Sequence, residues 1–191
     1  SKKTTPLKKT LQDALDARGY TTLTPVQEAV LDPAHVGADL LVSAQTGSGK
    51  TAAYLLTVFS RMLRQERRSE IQNPRALIIA PTRELAVQIA SDAEKLSVHT
   101  PFSTHVVFGG IDYHKQRQIL ARGTDLLIGT PGRLIDYHKQ RTYSLRETEI
   151  VVVDECDRLF DMGFAEEKLA SSFSSRPAAR RPFSRGSPSR S

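Results

Sequence analysis

Residues 39–51 constrain the fold of this chain more than any other stretch. Their letters, DLLVSAQTGSGKT, give a short apolar run, a glycine-containing loop and a Lys-Thr pair, and a helical pattern follows over residues 52–63. The apolar run at residues 39–43 predicts a buried strand of a parallel sheet. A strand, a glycine loop, Lys-Thr and a helix in this order are what a phosphate-binding loop requires. The sequence therefore predicts a nucleotide site in an α/β domain.

The residues of this loop have the chemistry that phosphate binding needs. Gly47 and Gly49 lack side chains that would keep a phosphate from the backbone N–H groups, and the start of the helix adds a positive dipole. Lys50 supplies a point charge to the β- and γ-phosphates, and the Thr51 hydroxyl is placed to bind magnesium. The usual pattern begins with Gly, whereas this loop begins with Ala44, and the alternative interpretation is a Gly-Ser connection without a ligand. The predicted nucleotide-binding residues of the loop are Ala44, Gln45, Thr46, Gly47, Ser48, Gly49, Lys50 and Thr51.

Short apolar runs alternate with helical patterns along the rest of the chain. This alternation predicts a parallel sheet with helices on both faces. Polar clusters follow the strands, so right-handed crossovers bring them to one edge of the sheet. Before the loop, Thr24 and Pro25 predict the cap and first turn of a helix that runs through Leu31. The further predicted strands are 76–80, 105–108, 125–128 and 150–153, and the further predicted helices are 83–96, 113–121 and 131–139.

Composition limits the classes of protein that remain. A chain of 191 residues has room for one α/β domain, and no apolar stretch approaches the ~20 residues of a membrane span. Its single cysteine, Cys156, fits a reducing compartment and a packing role, and the five histidines lack ligand spacing, so we expect a cytoplasmic protein without a structural metal. The net charge of +6 lies mostly in residues 166–191, which hold six Lys/Arg and two Asp/Glu, so charge alone is weak evidence for nucleic acid.

Two carboxylates stand at the end of the apolar run Val151–Val153. Asp154 is placed to hold magnesium, partly through water, as the acid at the end of a strand does in phosphate-loop enzymes. Glu155 is placed to act as general base on the attacking water. The alternative is a solvated acidic loop. Together with Lys50, these residues are the predicted catalytic groups.

Several clusters resemble, in order, the motifs of the DEAD-box ATP-dependent RNA helicases. Asp154-Glu155-Cys156-Asp157 resembles the family signature, with Cys in place of the usual Ala. The resemblance covers residues 7–165 and implies a RecA-like P-loop NTPase domain that binds ATP and Mg²⁺. The wider sequence is similar to the bacterial degradosome-type branch, which implies a link to RNA-degradation machinery. The other matching clusters are Gly19-Tyr20, Thr24-Pro25-Val26-Gln27, Pro81-Thr82-Arg83-Glu84-Leu85, Gly109-Gly110 and Thr130-Pro131-Gly132-Arg133.

The resemblance also assigns roles to residues outside the loop. Gln27 would pair with the adenine edge, Tyr20 would stack on the base, and Thr22 belongs to the same nucleotide-binding segment. Contacts to RNA would read the backbone and 2′-OH groups, and so be largely independent of sequence. For Arg83 and Arg133 the alternative is a structural role bracing these loops. The implied RNA-binding residues are Pro81, Thr82, Arg83, Gly109, Gly110, Thr130, Pro131, Gly132 and Arg133.

The chain departs from the family pattern near its end. Residues 1–9 read as a flexible basic lead-in and 10–168 as the N-terminal RecA-like half of the helicase core, but the expected second RecA-like domain is absent. From Ser171 to Ser191, sixteen of 21 residues are Ser, Arg or Pro, which predicts a disordered tail over 169–191. We favour a shift of reading frame near residue 168 over a genuine basic tail that binds RNA. Two other classes stay open: a different phosphate-loop enzyme such as a DNA translocase, and a non-catalytic RNA-binding or regulatory half-domain.

Overall fold

The computed structural model describes residues 30–31, 39–42, 50–64 and 72–164. The predicted lead-in, adenine segment, glycine loop and tail lie outside these ranges. The described strands are β1 (Val30–Leu31), β2 (Asp39–Val42), β3 (Ala76–Ile79), β4 (Thr104–Val107), β5 (Leu126–Gly129) and β6 (Ile150–Val153). The described helices are α1 (Lys50–Arg64), α2 (Arg83–Ser97), α3 (Tyr113–Ala121), α4 (Pro131–Lys139) and α5 (Cys156–Asp161).

The described strands form one 6-stranded sheet in the order β1-β2-β6-β3-β5-β4. Neighbouring strands pair in parallel along the part of the sheet that contains β2, β6, β3, β5 and β4. At one side of the sheet, β1 pairs antiparallel with β2. β6, the last of the described strands in sequence, lies in the middle of the sheet between β2 and β3. All five parallel strands therefore end at the same edge, which we call the carboxyl edge, and this confirms the predicted α/β architecture.

Side chains alternate between two apolar layers, as the pleat of a strand requires. In β3, Ala76 and Ile78 pack with α1 and α2, whereas Leu77 and Ile79 pack on the opposite face with α4 and α5. β5 and β6 alternate in the same way, and all four residues of each are buried. Burial on both faces explains why these strands read as continuous apolar runs rather than as alternating patterns. The predicted placement of helices on both faces is confirmed.

A buried ion pair fixes α1 to the end of the sheet opposite the carboxyl edge. Nε of Arg75 donates to Oε2 of Glu149 at 2.7 Å, and Nη2 of Arg75 donates to the carbonyl oxygen of Met62 at 2.9 Å. The same guanidinium lies 5.8 Å from the ring centroid of Phe102. Arg75 thus joins the last turn of α1 to the segments that enter β3 and β6, and so sets how α1 lies on the sheet.

The structure corrects the sequence interpretation at two places. Val30 and Leu31 were predicted as the end of a helix, but they pair with Leu41 and Leu40 as a short antiparallel strand. That prediction was wrong because the local pattern carries no information about a partner strand farther along the chain. Residues 156–161 were not predicted to be helical, yet they form α5 directly after the acidic pair.

Candidate functional site

The acidic pair follows β6 in the middle of the carboxyl edge. Asp154 is fully buried, and its backbone N–H donates to the carbonyl oxygen of Ile79 in the neighbouring strand at 2.9 Å. Its Oδ1 accepts the backbone N–H of Glu155 at 2.8 Å. The Asp154 carboxylate is therefore held at the centre of the edge by its own backbone and by the residue that follows it.

Tyr54 connects this carboxylate to α1, the helix that follows the glycine loop. Its hydroxyl donates to Oδ2 of Asp154 at 2.9 Å, and the ring is buried in the core. Burial raises the pKa of the Tyr54 phenol well above its usual value, and the charge and hydrogen bond of Asp154 raise it further. An interaction with the Thr51 side chain lowers it, against those larger effects. Tyr54 thus contacts Asp154, one of the residues predicted to serve the metal.

Glu155 has a backbone conformation that few side chains adopt. Its φ of 47° and ψ of 52° lie in the left-handed region, and it caps the start of α5 without a side-chain hydrogen bond to that helix. Such a conformation persists only where the surroundings enforce it. Its Oε2 lies 3.8 Å from Nη1 of Arg158, whose side chain is 60% exposed. The turn therefore places two successive carboxylates in different settings, one buried and one half-buried.

The oxygen donors here suit a hard divalent cation. Magnesium is commonly held by one or two carboxylates together with substrate phosphates and water. Asp154 provides a buried carboxylate, which accepts a hydrogen bond from the Tyr54 hydroxyl. Within the ranges that the structure describes, no group of three or more His, Cys, Asp or Glu could hold a metal by itself. This donor set fits Mg²⁺ bound together with a nucleotide.

The loops after β3, β4 and β5 form the other half of the carboxyl edge. Backbone hydrogen bonds continue the sheet into these loops: Ala80 N–H donates to Gly129 O at 2.9 Å, and Thr130 N–H donates to Val107 O at 3.2 Å. Thr82 caps α2, because its Oγ1 accepts the N–H of Leu85 at 3.2 Å. Three of the clusters implied to bind RNA therefore lie side by side on neighbouring strands.

The start of α4 is open to a ligand. Thr130 stands at the cap position without a side-chain cap bond, and Pro131 occupies the first turn. The first N–H groups of a helix have no partner within it, and the first α4 bond runs from Leu134 N–H to Thr130 O. A Cβ built on Gly132 would meet no atom within 4 Å. A phosphate can therefore approach the backbone at Gly132.

Gly129, three residues earlier, is a glycine for a different reason. A Cβ there would lie 2.6 Å from the carbonyl oxygen of Val107 and 2.8 Å from Cγ of Leu134. β4, β5 and α4 approach so closely at this point that only glycine fits. Gly109 has open space around it, and Gly110 has a φ of 84°. The carboxyl edge thus has close packing at Gly129 and exposed backbone at Gly109 and Gly110.

The two arginines of these loops contact aromatic rings. The Arg83 guanidinium lies 4.8 Å from the ring centroid of Phe108, which ties the loop after β3 to the loop after β4. Arg133 lies 4.9 Å from the ring centroid of Tyr113, and its Nη1 donates to the Tyr137 hydroxyl at 3.2 Å. These contacts favour the bracing interpretation for Arg133. Arg83 stays exposed, so it can brace the loops and still face a ligand.

Several predicted residues lie outside the described ranges. These are Tyr20, Thr22, Gln27 and the loop residues Ala44, Gln45, Thr46, Gly47, Ser48 and Gly49. Lys50 begins α1, and Thr51 follows it at the same end of the helix. Cys156 is the first residue of α5, and its free thiol is buried in the apolar layer on that face of the sheet, so its predicted packing role is confirmed.

Sequence reasoning missed Tyr54. The residue reads as one apolar member of the buried face of α1, and Asp154 is far away along the chain. The available signal was chemical: a buried Tyr hydroxyl usually needs a hydrogen-bond partner.

The fold and the residues at its carboxyl edge define the structural class of this domain. A parallel sheet with helices on both faces, and with an acid and a helix start meeting at its carboxyl edge, is the architecture of RecA-like nucleotide-binding domains. The DEAD/DEAH box helicase family model matches residues 24–180, and the chain belongs to that family. The helices of the described ranges include none that is long and apolar enough to cross a membrane.

Several named proteins are similar to this chain over most of its length. It is 44% identical over 164 residues to the ATP-dependent RNA helicase RhlB of Shewanella piezotolerans, covering 85% of this chain and 38% of the relative. The same-named protein of Pseudoalteromonas atlantica is 46% identical over 162 residues, with the same two coverages. That of Xanthomonas oryzae pv. oryzae is 47% identical over 158 residues, 80% of this chain and 27% of the relative. The chain thus spans well under half the length of these relatives.

Proposed function

We propose that this chain is the N-terminal half of an ATP-dependent RNA helicase core. It binds Mg-ATP and the backbone of single-stranded RNA, and it hydrolyses ATP to drive local unwinding of RNA duplexes when joined to a second RecA-like domain. The observation that carries the proposal is the carboxyl edge itself. There, the acidic pair and the start of α1 lie at the same edge as the loops that we propose bind RNA. The proposed hydrolysis site and the proposed RNA site are therefore built on one sheet.

The nucleotide half uses groups around β6 and α1. Lys50 contacts the β- and γ-phosphates, and Thr51 and Asp154 hold Mg²⁺, Asp154 partly through water. Glu155 takes the proton of the attacking water. Residues 44–49 cradle the phosphates through backbone N–H groups, while Tyr20, Thr22 and Gln27 recognise adenine. Bound magnesium supplies charge stabilisation for phosphoryl transfer.

The RNA half uses backbone more than side chains. The open helix start at Gly132 and the exposed Gly109 and Gly110 let phosphates reach N–H groups, and Thr82 and Thr130 supply hydroxyls from the same edge of the sheet. Such contacts read the sugar-phosphate backbone, so binding is largely independent of base sequence. Pro81, Pro131 and the exposed Arg83 belong to the same proposed RNA-binding set. Arg133 belongs to it as well and also braces the loop through Tyr113 and Tyr137.

The single cysteine fits a reducing compartment, and we propose that the protein acts in the cytoplasm. From the resemblance to the degradosome-type branch we also propose a link to RNA-degradation machinery. We further propose that residues 10–168 are the functional unit and that residues 169–191 are translated out of frame. Sequencing the coding DNA from codon 160 tests this: an alternative frame that encodes a Ser-Ala-Thr motif and a second α/β domain supports it, and no such frame refutes it.

A charge-matched pair of variants tests nucleotide binding. Lys50→Ala and Arg64→Ala each remove one positive charge from α1, at its first residue and at its last. Isothermal titration of residues 1–191 with Mg-ATP should show weak binding in wild type, the same binding in Arg64→Ala and none in Lys50→Ala. Unchanged affinity in Lys50→Ala would refute the phosphate-loop assignment.

The same protein preparation tests the class of enzyme. We expect ATP to bind better than GTP, RNA to bind better than DNA, and almost no ATP turnover without a second domain. Equal use of GTP together with a preference for DNA would instead indicate a translocase. Robust RNA-stimulated turnover by residues 1–191 would contradict the expected dependence on a second domain.

A further inference from the structure

Tyr54 stands out among the buried polar groups because it bridges two parts of the nucleotide half. It lies on α1, one helical turn after Lys50 and on the side that faces the sheet. Its hydroxyl reaches across to Asp154, a hundred residues later in the sequence, and contacts Oδ2 at 2.9 Å. Buried tyrosine hydroxyls usually find a hydrogen-bond partner, but the partner of Tyr54 is the carboxylate at the centre of the carboxyl edge rather than a backbone carbonyl group.

The other oxygen of the carboxylate is held separately. Oδ1 of Asp154 accepts the N–H of Glu155 at 2.8 Å, so each carboxylate oxygen receives a hydrogen bond from a different structural element. Two donors from different directions fix the rotation of a carboxylate, which a single donor does not. Tyr54 therefore holds, from α1, one oxygen of the carboxylate proposed to serve Mg²⁺.

The geometry points to Tyr54 as a positioning residue that orients the Asp154 carboxylate for binding of the magnesium–nucleotide complex. This inference rests on the proposed function. Groups that orient metal ligands commonly change metal affinity 10- to 100-fold when they are removed. Tyr54 does not touch the reacting atoms in this account; it acts through Asp154.

A matched control is available on the other face of the sheet. Tyr143 is also buried, and its hydroxyl donates to the carbonyl oxygen of Leu134 at 2.7 Å, away from the acidic pair. Tyr54→Phe and Tyr143→Phe each delete one buried hydroxyl and leave the ring in place. A merely structural role predicts similar losses of stability for both variants and no effect on magnesium dependence for either.

The test is isothermal titration of residues 1–191 with a non-hydrolysable ATP analogue, in EDTA and over a series of Mg²⁺ concentrations. For Tyr54→Phe we expect the Mg²⁺ concentration of half-maximal effect to rise about tenfold, with the affinity in EDTA equal to that of wild type. Tyr143→Phe should match wild type in both. An unchanged magnesium midpoint in Tyr54→Phe, or an equal loss of affinity in EDTA, overturns the inference. If wild type binds no nucleotide in the presence of Mg²⁺, the proposed function is refuted as well. If only the inference about Tyr54 fails, wild type still binds the Mg²⁺–nucleotide complex, so the two failures can be distinguished.

A second measurement is made on the wild-type protein and does not depend on the folding of Tyr54→Phe. The chain has five tyrosines, so wild type labelled with 3-fluorotyrosine gives few fluorine resonances, and Tyr54 is assigned by elimination after Tyr→Phe changes at the other four. Adding Mg²⁺ to the nucleotide-saturated protein should shift the Tyr54 resonance and leave that of Tyr143 in place. A Tyr54 resonance that does not respond to Mg²⁺ overturns the inference.

Discussion

Gly132→Ala should weaken RNA binding and leave the fold intact. Gly132 lies in the first turn of α4, it is exposed, and an added Cβ would meet no atom within 4 Å. Its φ is not positive, so alanine can adopt its backbone conformation. Alanine favours helix by up to ~1 kcal/mol over glycine. The stability of the free protein should therefore stay constant or rise slightly.

The cost falls on the bound state. In our account a phosphate approaches the backbone at Gly132, where the Cβ would occupy part of its path. A hydrogen bond to a charged group contributes about 1.5–3 kcal/mol, and each 1.4 kcal/mol is tenfold in affinity. We therefore expect the Kd for a single-stranded RNA oligonucleotide to rise at least about tenfold, measured by fluorescence anisotropy at fixed ionic strength.

Gly129→Ala is the matched control for the fold. The same methyl group at this position would lie 2.6 Å from Val107 O and 2.8 Å from Leu134 Cγ, so β4, β5 or α4 must shift. Overpacking of this kind costs about 1–3 kcal/mol, which urea unfolding will detect. The reasoning is refuted if Gly132→Ala binds RNA like wild type, or if it loses as much stability as Gly129→Ala.

Two further predictions concern stability. Arg75→Met removes the partner of Glu149, whose side chain is only 13% exposed. The free energy of unfolding in urea should therefore fall by about 3–5 kcal/mol. The exposed control Arg146→Met should change it by less than about 0.5 kcal/mol, and equal effects of the two variants would contradict the role of the ion pair. Burial lowers the pKa of His105 below 6.5, so the unfolded chain takes up a proton first and stability should fall as the pH drops through and below that value. His105→Gln should flatten this dependence in urea unfolding, and an unchanged slope would show that His105 does not cause it.

Local signals predicted most of the described elements. The bounds of α3 and α4 match the predicted 113–121 and 131–139, because Asp112 caps α3 and Pro131 begins α4. The edge strand at Val30 and Leu31 was misassigned, since its pairing with β2 is decided by distant residues. The short helix α5 is not predicted because its cap residue, Glu155, has a positive φ, a conformation that the surrounding sequence does not indicate.

The candidate site was predictable in its residue types and not in its contacts. An acid after an apolar run indicates the carboxyl end of a strand, which is where Asp154 lies. The bond from Tyr54 to that acid depends on how α1 lies across the sheet, and Arg75 fixes this through contacts that local pattern does not encode. The stacking of Arg133 on Tyr113 likewise depends on the packing of α3 against α4.

The measurement that tests the central claim most directly is hydrogen–deuterium exchange of residues 1–191 with and without a single-stranded RNA oligonucleotide. Our account predicts protection at the carboxyl edge, in peptides covering residues 80–85, 108–113 and 129–134. The opposite edge carries its own exposed basic residues, among them Arg122, Lys139, Arg141 and Arg146, in the segments that lead into β5 and β6. Protection confined to those segments, with none at the carboxyl edge, would contradict the account.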